Sequence, residues 1–301
     1  MNIFSIEKGV CKGLLMEIDI PEGVVEIGKE AFRKAYLQSV NIPESVGVIG
    51  ASAFEESTIK KISIPDGVAK IADRTFYNCK NLSKITIGNS VTSIGDNAFY
   101  GCTGLTSIEI PDSVTEIGYA AFEDCTGLII VKLGKSVISI GHFAFWDCEV
   151  LKNINIPDSV TTIGNSAFRD CIGLESANIG NGVITIGDSA FRDCTALKSV
   201  TLGDSVTSIG FAAFYGCTGL KSITIPARVT YIENRAFYGC TGLKSITIPA
   251  RETYIGDYAF DGCKGLTIYG TKDSYAETYA KENNISFCDI ADCVKRDRRV
   301  L

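Results

Sequence analysis

The groups in this 301-residue chain that could do chemistry are 12 cysteines, one histidine and 35 carboxylates. Nine of the cysteines recur at intervals of 23: Cys79, Cys102, Cys125, Cys148, Cys171, Cys194, Cys217, Cys240 and Cys263. A metal site needs closely spaced donors, such as C-x-x-C, and this interval supplies none. Cys288 and Cys293 form a lone pair with no histidine nearby in sequence, and they are expected as accessible thiols. A Cys–His nucleophile would need Cys148 to face His142. The repeat described below turns Cys148 inward and His142 outward. Phosphate loops, H-E-x-x-H and G-x-S-x-G are all absent. The carboxylates are scattered singly over turns. No catalytic residue, metal or cofactor is expected, and the chain is read as a non-enzyme.

The cysteine interval is one part of a longer pattern. Leu202–Thr224, LGDSVTSIGFAAFYGCTGLKSIT, is one complete unit. An Ile or Leu opens it, with Val at position 5, Ile-Gly at 8–9, Ala-Phe at 12–13, Cys at 16, Leu at 19 and Ile at 22. Eleven units open at Ile20, Ile42, Ile64, Ile87, Ile110, Leu133, Ile156, Ile179, Leu202, Ile225 and Ile248. A period in this range signals a solenoid, in which like residues stack on like.

Within a unit the segment Leu-x-x-Ile-x-Ile alternates at strand period two. Proline then stops the ladder, having no N–H to donate; all seven prolines hold this position. Val-x-x-Ile-Gly reads as a second short strand, and x-x-Ala-Phe-x-x-Cys as one turn of helix with its apolar face inward. The fold class is therefore a repeat solenoid, mainly β with one short helical turn per coil. Cysteine at position 16 fills a small buried slot as a weakly polar hydrophobe, a size requirement supported by Ser57 and Ala35 in the same slot. Residues 1–19 read as an N-terminal cap or degraded half repeat, 20–270 as the solenoid, 271–287 as a C-terminal cap and 288–301 as a tail. The cap carries a capping box at Ser274-Tyr275-Ala276-Glu277. Glu252 stands where the unit calls for Val, a lapse expected near an edge.

The net charge, 29 − 35 = −6, argues against nucleic acid and anionic membranes as partners. No apolar run is long enough to span a bilayer. The N-terminus lacks a signal-peptide apolar core, so either the protein stays inside the cell or a leader precedes Met1; secretion or cell-surface display would require the latter.

The pattern Ile-Pro-Asp-Ser-Val-Thr-x-Ile-Gly-x-x-Ala-Phe-x-x-Cys-Thr-Gly-Leu-x-x-Ile, nearly unbroken from Ile110 and again from Ile156, resembles the BspA-type leucine-rich repeat family. The resemblance covers residues 20–270, and Tyr-Ala-Glu-x-Tyr-Ala-Lys-Glu-Asn resembles the family's usual ending. It implies a right-handed leucine-rich-repeat-like superhelix used for adhesion or protein–protein recognition, often on microbial surfaces, and it implies no catalytic residues.

Recognition must then come from outward positions that depart from the consensus. Aromatic and arginine side chains are enriched at interface hot spots. Tyr100 and Trp146 at position 14, Tyr119 and His142 at position 10, and Phe143 at position 11 form one such set; Ile129 and Ile130 replace the usual polar pair on the strand. Drift within a duplicating array is the competing explanation, since Tyr215–Arg228 and Tyr238–Arg251 are identical. The expected function is non-catalytic recognition of a protein or glycan on a long, shallow, largely polar face, of which the strand row Lys198-Ser199, Lys221-Ser222, Lys244-Ser245 with Thr201, Thr224 and Thr247 forms part. The alternative is a structural spacer, or a module of a larger surface protein, with no ligand of its own.

Overall fold

A computed structural model describes residues 4–6 and 16–292. Every strand pairing in it is parallel, and partners lie 22 or 23 residues apart through most of the chain, as in Ser107↔Ile130 and Ile140↔Ile163. Two stacks of strands result. The longer strands, from Met16–Asp19 to Ser286–Asp289, form consecutive sheets of four, five and four strands. The shorter strands form a nine-stranded sheet from Lys70–Ile71 to Tyr254–Ile255, with three more strands on the N-terminal side. The chain is a parallel β-solenoid with one winding per unit.

The Ala-Phe segment forms no helix. Glycine or a residue with φ of 51–81° occupies positions 11 and 15 wherever the segment occurs, for example Ala120 and Asp124, or Ala212 and Gly216. Two left-handed residues four apart cannot lie in a right-handed helical turn. The amides instead divide their bonds. Those of positions 12, 14 and 16 bond three residues back within the coil, as in Cys125 N–H to the Phe122 carbonyl. Those of positions 11, 13 and 15 donate to the next coil, as Ala120, Phe122 and Asp124 do to His142, Ala144 and Trp146. The segment is thus a third inter-coil ladder made of turns.

One apolar core runs from Ile20 to Ala280. Its axis is a column of eleven phenylalanines, Phe32 to Phe260, whose ring centroids are 5.0–5.4 Å apart with near-parallel planes. Offset stacking at this distance is favourable. At its C-terminal end the column is closed by Tyr279, edge-on to Phe260 at 5.8 Å. Tyr279 comes from the helix Tyr275–Glu282, whose N-cap Ser274 accepts the Glu277 amide while Glu277 accepts the Asp273 amide.

The cysteine slot is more than a matter of size. Each of the nine thiols donates to the carbonyl of the position-13 phenylalanine one coil earlier, at 2.9–3.3 Å, from Cys79 on Phe54 to Cys263 on Phe237. That carbonyl already accepts an amide from its own coil, as Phe99 does from Cys102. The thiol serves its second lone pair, and none of the nine is in a disulfide. Cys288 departs from expectation: it is disulfide-bonded. Cys293 lies outside the described residues, as do residues 7–15 of the expected N-terminal half repeat. Glu252 does not enter the valine slot. It is exposed, and Thr253 turns inward in its place, donating to the Val229 carbonyl at 2.7 Å.

Two outcomes follow from the core. Phe145→Ala should cost about 3–5 kcal/mol, the usual range for a fully buried phenylalanine, and should broaden or split the chemical-denaturation transition because it interrupts the column in mid-stack. In the native protein the nine slot thiols should resist iodoacetamide, since burial holds Cys79 and Cys125 up at about 12; mass spectrometry should find all nine modified only after denaturation.

Candidate recognition surfaces

The ladders fix three outward surfaces, and the expected site residues fall on two of them. On the turn surface, Tyr119, Phe143 and Trp146 come together: Tyr119 meets Phe143 edge-on at 5.4 Å, and Phe143 lies 5.4 Å from Trp146. Phe143 is left-handed at φ 59°, a conformation that bulky residues rarely adopt. The Trp146 indole N–H donates to Asp170 at 3.0 Å, and the Arg169 guanidinium lies 5.2 Å from its ring. His142 has a local duty. Its Nδ1 accepts the Asn165 amide at 2.8 Å, the bond that Asp96, Asn165 and Asp188 make at the same position in other coils. Tyr100 stacks on Tyr77 at 4.8 Å. Its phenol is pushed above the usual range, first by its hydrogen bond to Asp124 and then by burial.

Ile129 and Ile130 lie elsewhere, on the long-strand sheet. Ile130 stands in register between Ser107 and Asn153 and is 60% exposed; Ile129 is 42% exposed. They form an apolar step in a face that is otherwise polar.

The turn surface also holds charge arrangements that the spacing of single residues does not announce. Glu55, almost fully buried, receives Arg74 through two hydrogen bonds of 3.2 Å and Arg33 at 3.0 Å. Burial pulls its carboxyl upward, but the bonds from Arg74 and Ser52 and the two guanidinium charges outweigh it and hold the group below its ordinary value. Three coils on, the balance reverses. Glu123 is pushed up to about 7 by burial and by the charges of Asp124 and Asp147. Asp147 is raised by burial and by Asp170, Asp124 and Glu149. Position 15 explains the crowding. Asp124, Asp147, Asp170 and Asp193 all hold its left-handed conformation, which Asp tolerates better than most residues, so the stack brings their charges into line. The Gly/Asn/Asp preference at position 15 was the sequence signal for this.

Arginines and rings alternate along the same surface. Arg74 lies 3.7 Å from the Tyr77 ring, and Arg192 lies 4.6 Å from Tyr215, which stacks on Tyr238 at 5.0 Å. Much of the aromatic area that could grip a partner is therefore already in use within the solenoid.

The long-strand sheet is the quieter surface. Its outward residues from Asn153 to Thr247 are Asn, Ser and Thr, and shallow open grooves cross it at Ser199–Thr224 and at Ser39–Thr86. A larger gap, about 520 Å³, sits beneath the C-terminal helix, lined by Phe260, Tyr279 and turn residues. Among the described residues no group of three or more His, Cys, Asp or Glu is placed to hold a metal ion, and no helix is long and apolar enough to cross a membrane.

A family model described as BspA type leucine rich repeat region, in six copies, matches residues 7–129, 69–198, 127–218 and 163–290. No curated protein matches. Among solved structures, a leucine-rich repeat protein from Bacteroides ovatus ATCC 8483 is 31% identical; the alignment covers 91% of this chain and 83% of that one, with a TM-score of 0.63. The pneumococcal vaccine antigen PcpA shares the fold at 18% identity and a TM-score of 0.53, over 95% of this chain and 83% of its own. A leucine rich cell surface protein from Faecalibacterium prausnitzii A2-165 is 28% identical over 95% of this chain and 93% of that one, with a TM-score of 0.47.

The carboxylate crowding sets a pH dependence. A carboxyl raised in the folded state binds its proton more tightly there than in the unfolded chain, so folding is favoured at low pH and the advantage is lost as pH rises through the folded value. For Glu123 the window runs from 4.5 to about 7. Glu123→Gln should be more stable than the parent at pH 8, and the difference should vanish by pH 4, as read from denaturation midpoints across that range.

Proposed function

Since this chain belongs to the BspA-type leucine-rich repeat family, we propose that it is a non-catalytic recognition or adhesion module that binds a protein or a glycan. The observation that carries this reading is the long-strand face. It is a row of outward Asn, Ser and Thr side chains held in register by parallel pairing within two successive sheets, one ending at Ser199–Thr201 and the next beginning at Ser222–Thr224 on the adjacent coil. Rigid presentation lowers the ordering cost of binding. The exposed step at Ile129 and Ile130 gives that face one apolar anchor, of the kind partner sites use.

The turn-surface cluster of Tyr119, Phe143 and Trp146, together with His142 and, farther along the same surface, Tyr100, is a second contact region of the same module. Display on a cell surface fits this reading. One observation favours the spacer alternative. The stacked Tyr77–Tyr100 and Tyr215–Tyr238 pairs and their arginines use their faces for cohesion between coils.

The test is surface plasmon resonance of the full chain against panels of purified extracellular proteins and glycans. Saturable binding is expected, weakened at least about tenfold (~1.4 kcal/mol) in Ile129→Ser/Ile130→Ser or in Phe143→Ser/Trp146→Ser, with unchanged melting temperatures. Binding that neither double variant alters would remove both contact regions, and the lack of any saturable ligand would leave the spacer.

A further inference from the structure

We infer that the C-terminal third of the long-strand face is a site for a linear acidic polysaccharide lying across the strands; the inference rests on that face being the recognition surface proposed above. Three consecutive strands, Ser199–Thr201, Ser222–Thr224 and Ser245–Ile248, pair in parallel register or lie on adjacent coils. Their outward side chains are hydroxyls only: Ser199, Ser222 and Ser245 in one column, Thr201, Thr224 and Thr247 in the next. Each column advances one coil at a time, roughly 4.8 Å by the parallel-strand spacing. That rise is close to the length of one sugar ring, so successive coils meet successive sugars.

Charge chooses among polyhydroxylated partners. Lys198, Lys221 and Lys244 precede the three strands as an exposed column, and Arg228 and Arg251 stand exposed in the turns that follow. The hydroxyl floor is therefore bordered by cations at both ends of the strands. Against these five stand three carboxylates: Glu175, which pairs with Lys198, Asp204, which lines the groove there, and Glu252. Lys198 is shared with Glu175 at 2.6 Å, Lys244 donates to the Lys264 carbonyl, and Lys221 has no ion pair among the described residues. In a chain of net charge −6, this is a local reversal of sign.

The floor also disfavours the other anionic polymers. A stable protein interface needs buried aromatic or aliphatic anchors, and the hydroxyl columns contain none. Single-stranded nucleic acid is held by a succession of aromatic stacking platforms; here one ring, Tyr269, stands in register beyond Thr247 at the C-terminal edge, and the three coils of the floor carry none. A carboxylated glycan asks for what is present, namely hydroxyl donors and acceptors at regular intervals with ammonium and guanidinium groups along the edges.

Polygalacturonate is the probe, with its fully methyl-esterified form as a neutral polymer of the same backbone and an oligothymidylate as a non-glycan polyanion. The full chain should bind polygalacturonate and lose affinity as salt rises. Lys198→Ser/Lys221→Ser/Lys244→Ser should weaken binding about tenfold, the sum of three exposed ion pairs. Lys29→Ser/Lys34→Ser/Lys80→Ser, which removes equal charge elsewhere, should change it less than about twofold. The inference is overturned if the two triple variants lose affinity equally, if the esterified polymer or the oligothymidylate binds as well, or if the parent chain does not bind polygalacturonate. In that last case, saturable binding of another ligand that Ile129→Ser/Ile130→Ser weakens would keep the recognition module and discard only its acidic-glycan assignment.

Discussion

The structure depends on a division of labour among the amides of one six-residue turn. Half of them close the turn within a coil and half reach to the next coil. A helix would spend all of its amides on itself and leave neighbouring coils joined only by side chains. Two left-handed residues per coil prevent that. Their cost, about 1–2 kcal/mol for each non-glycine residue, is offset by a third set of inter-coil bonds. The phenylalanine column and the thiol–carbonyl bonds lie directly beneath this ladder, so backbone register and side-chain stacking enforce one another.

Most of the architecture was legible because the repeat states the same requirement eleven times. The inward Val, Ile, Ala, Phe, Cys and Leu positions and the proline stops follow from strand periodicity and stacking alone. What misled was the Ala-Phe-x-x-Cys spacing. Apolar residues one and three apart fit a helical face, but they fit a succession of tight turns equally well. The decisive sign was conformational: Gly, Asn and Asp recur at position 15, between the outward residue and the cysteine. Spacing is enough to make position 16 a small buried slot, while its thiol donor role depends on a carbonyl in the preceding coil that sequence spacing does not reveal.

The outward residues were less legible, for a physical reason. Spacing assigns a residue to a column but not to its partners. Tyr119, Phe143 and Trp146 do meet, whereas His142 replaces an Asp or Asn that accepts a neighbouring amide, and Tyr100 belongs to a tyrosine stack. Ile129 and Ile130 lie on a different ladder. The Arg33–Glu55–Arg74 group and the aligned aspartates arise only when columns from successive coils are laid side by side. Stacking therefore amplifies single choices: one ion pair becomes a bridge over three coils, and one repeated aspartate becomes a line of like charges.

The helix that carries Tyr279 seats itself on the last phenylalanine and on no other ring of the column. Whole units inserted or deleted upstream would leave that seat untouched. Unequal recombination between near-identical stretches, such as Tyr215–Arg228 and Tyr238–Arg251, could then lengthen or shorten the rod in steps of one winding, roughly 4.8 Å each, without redesigning its end. Reach becomes an adjustable trait, set by copy number and bounded by a fixed terminus.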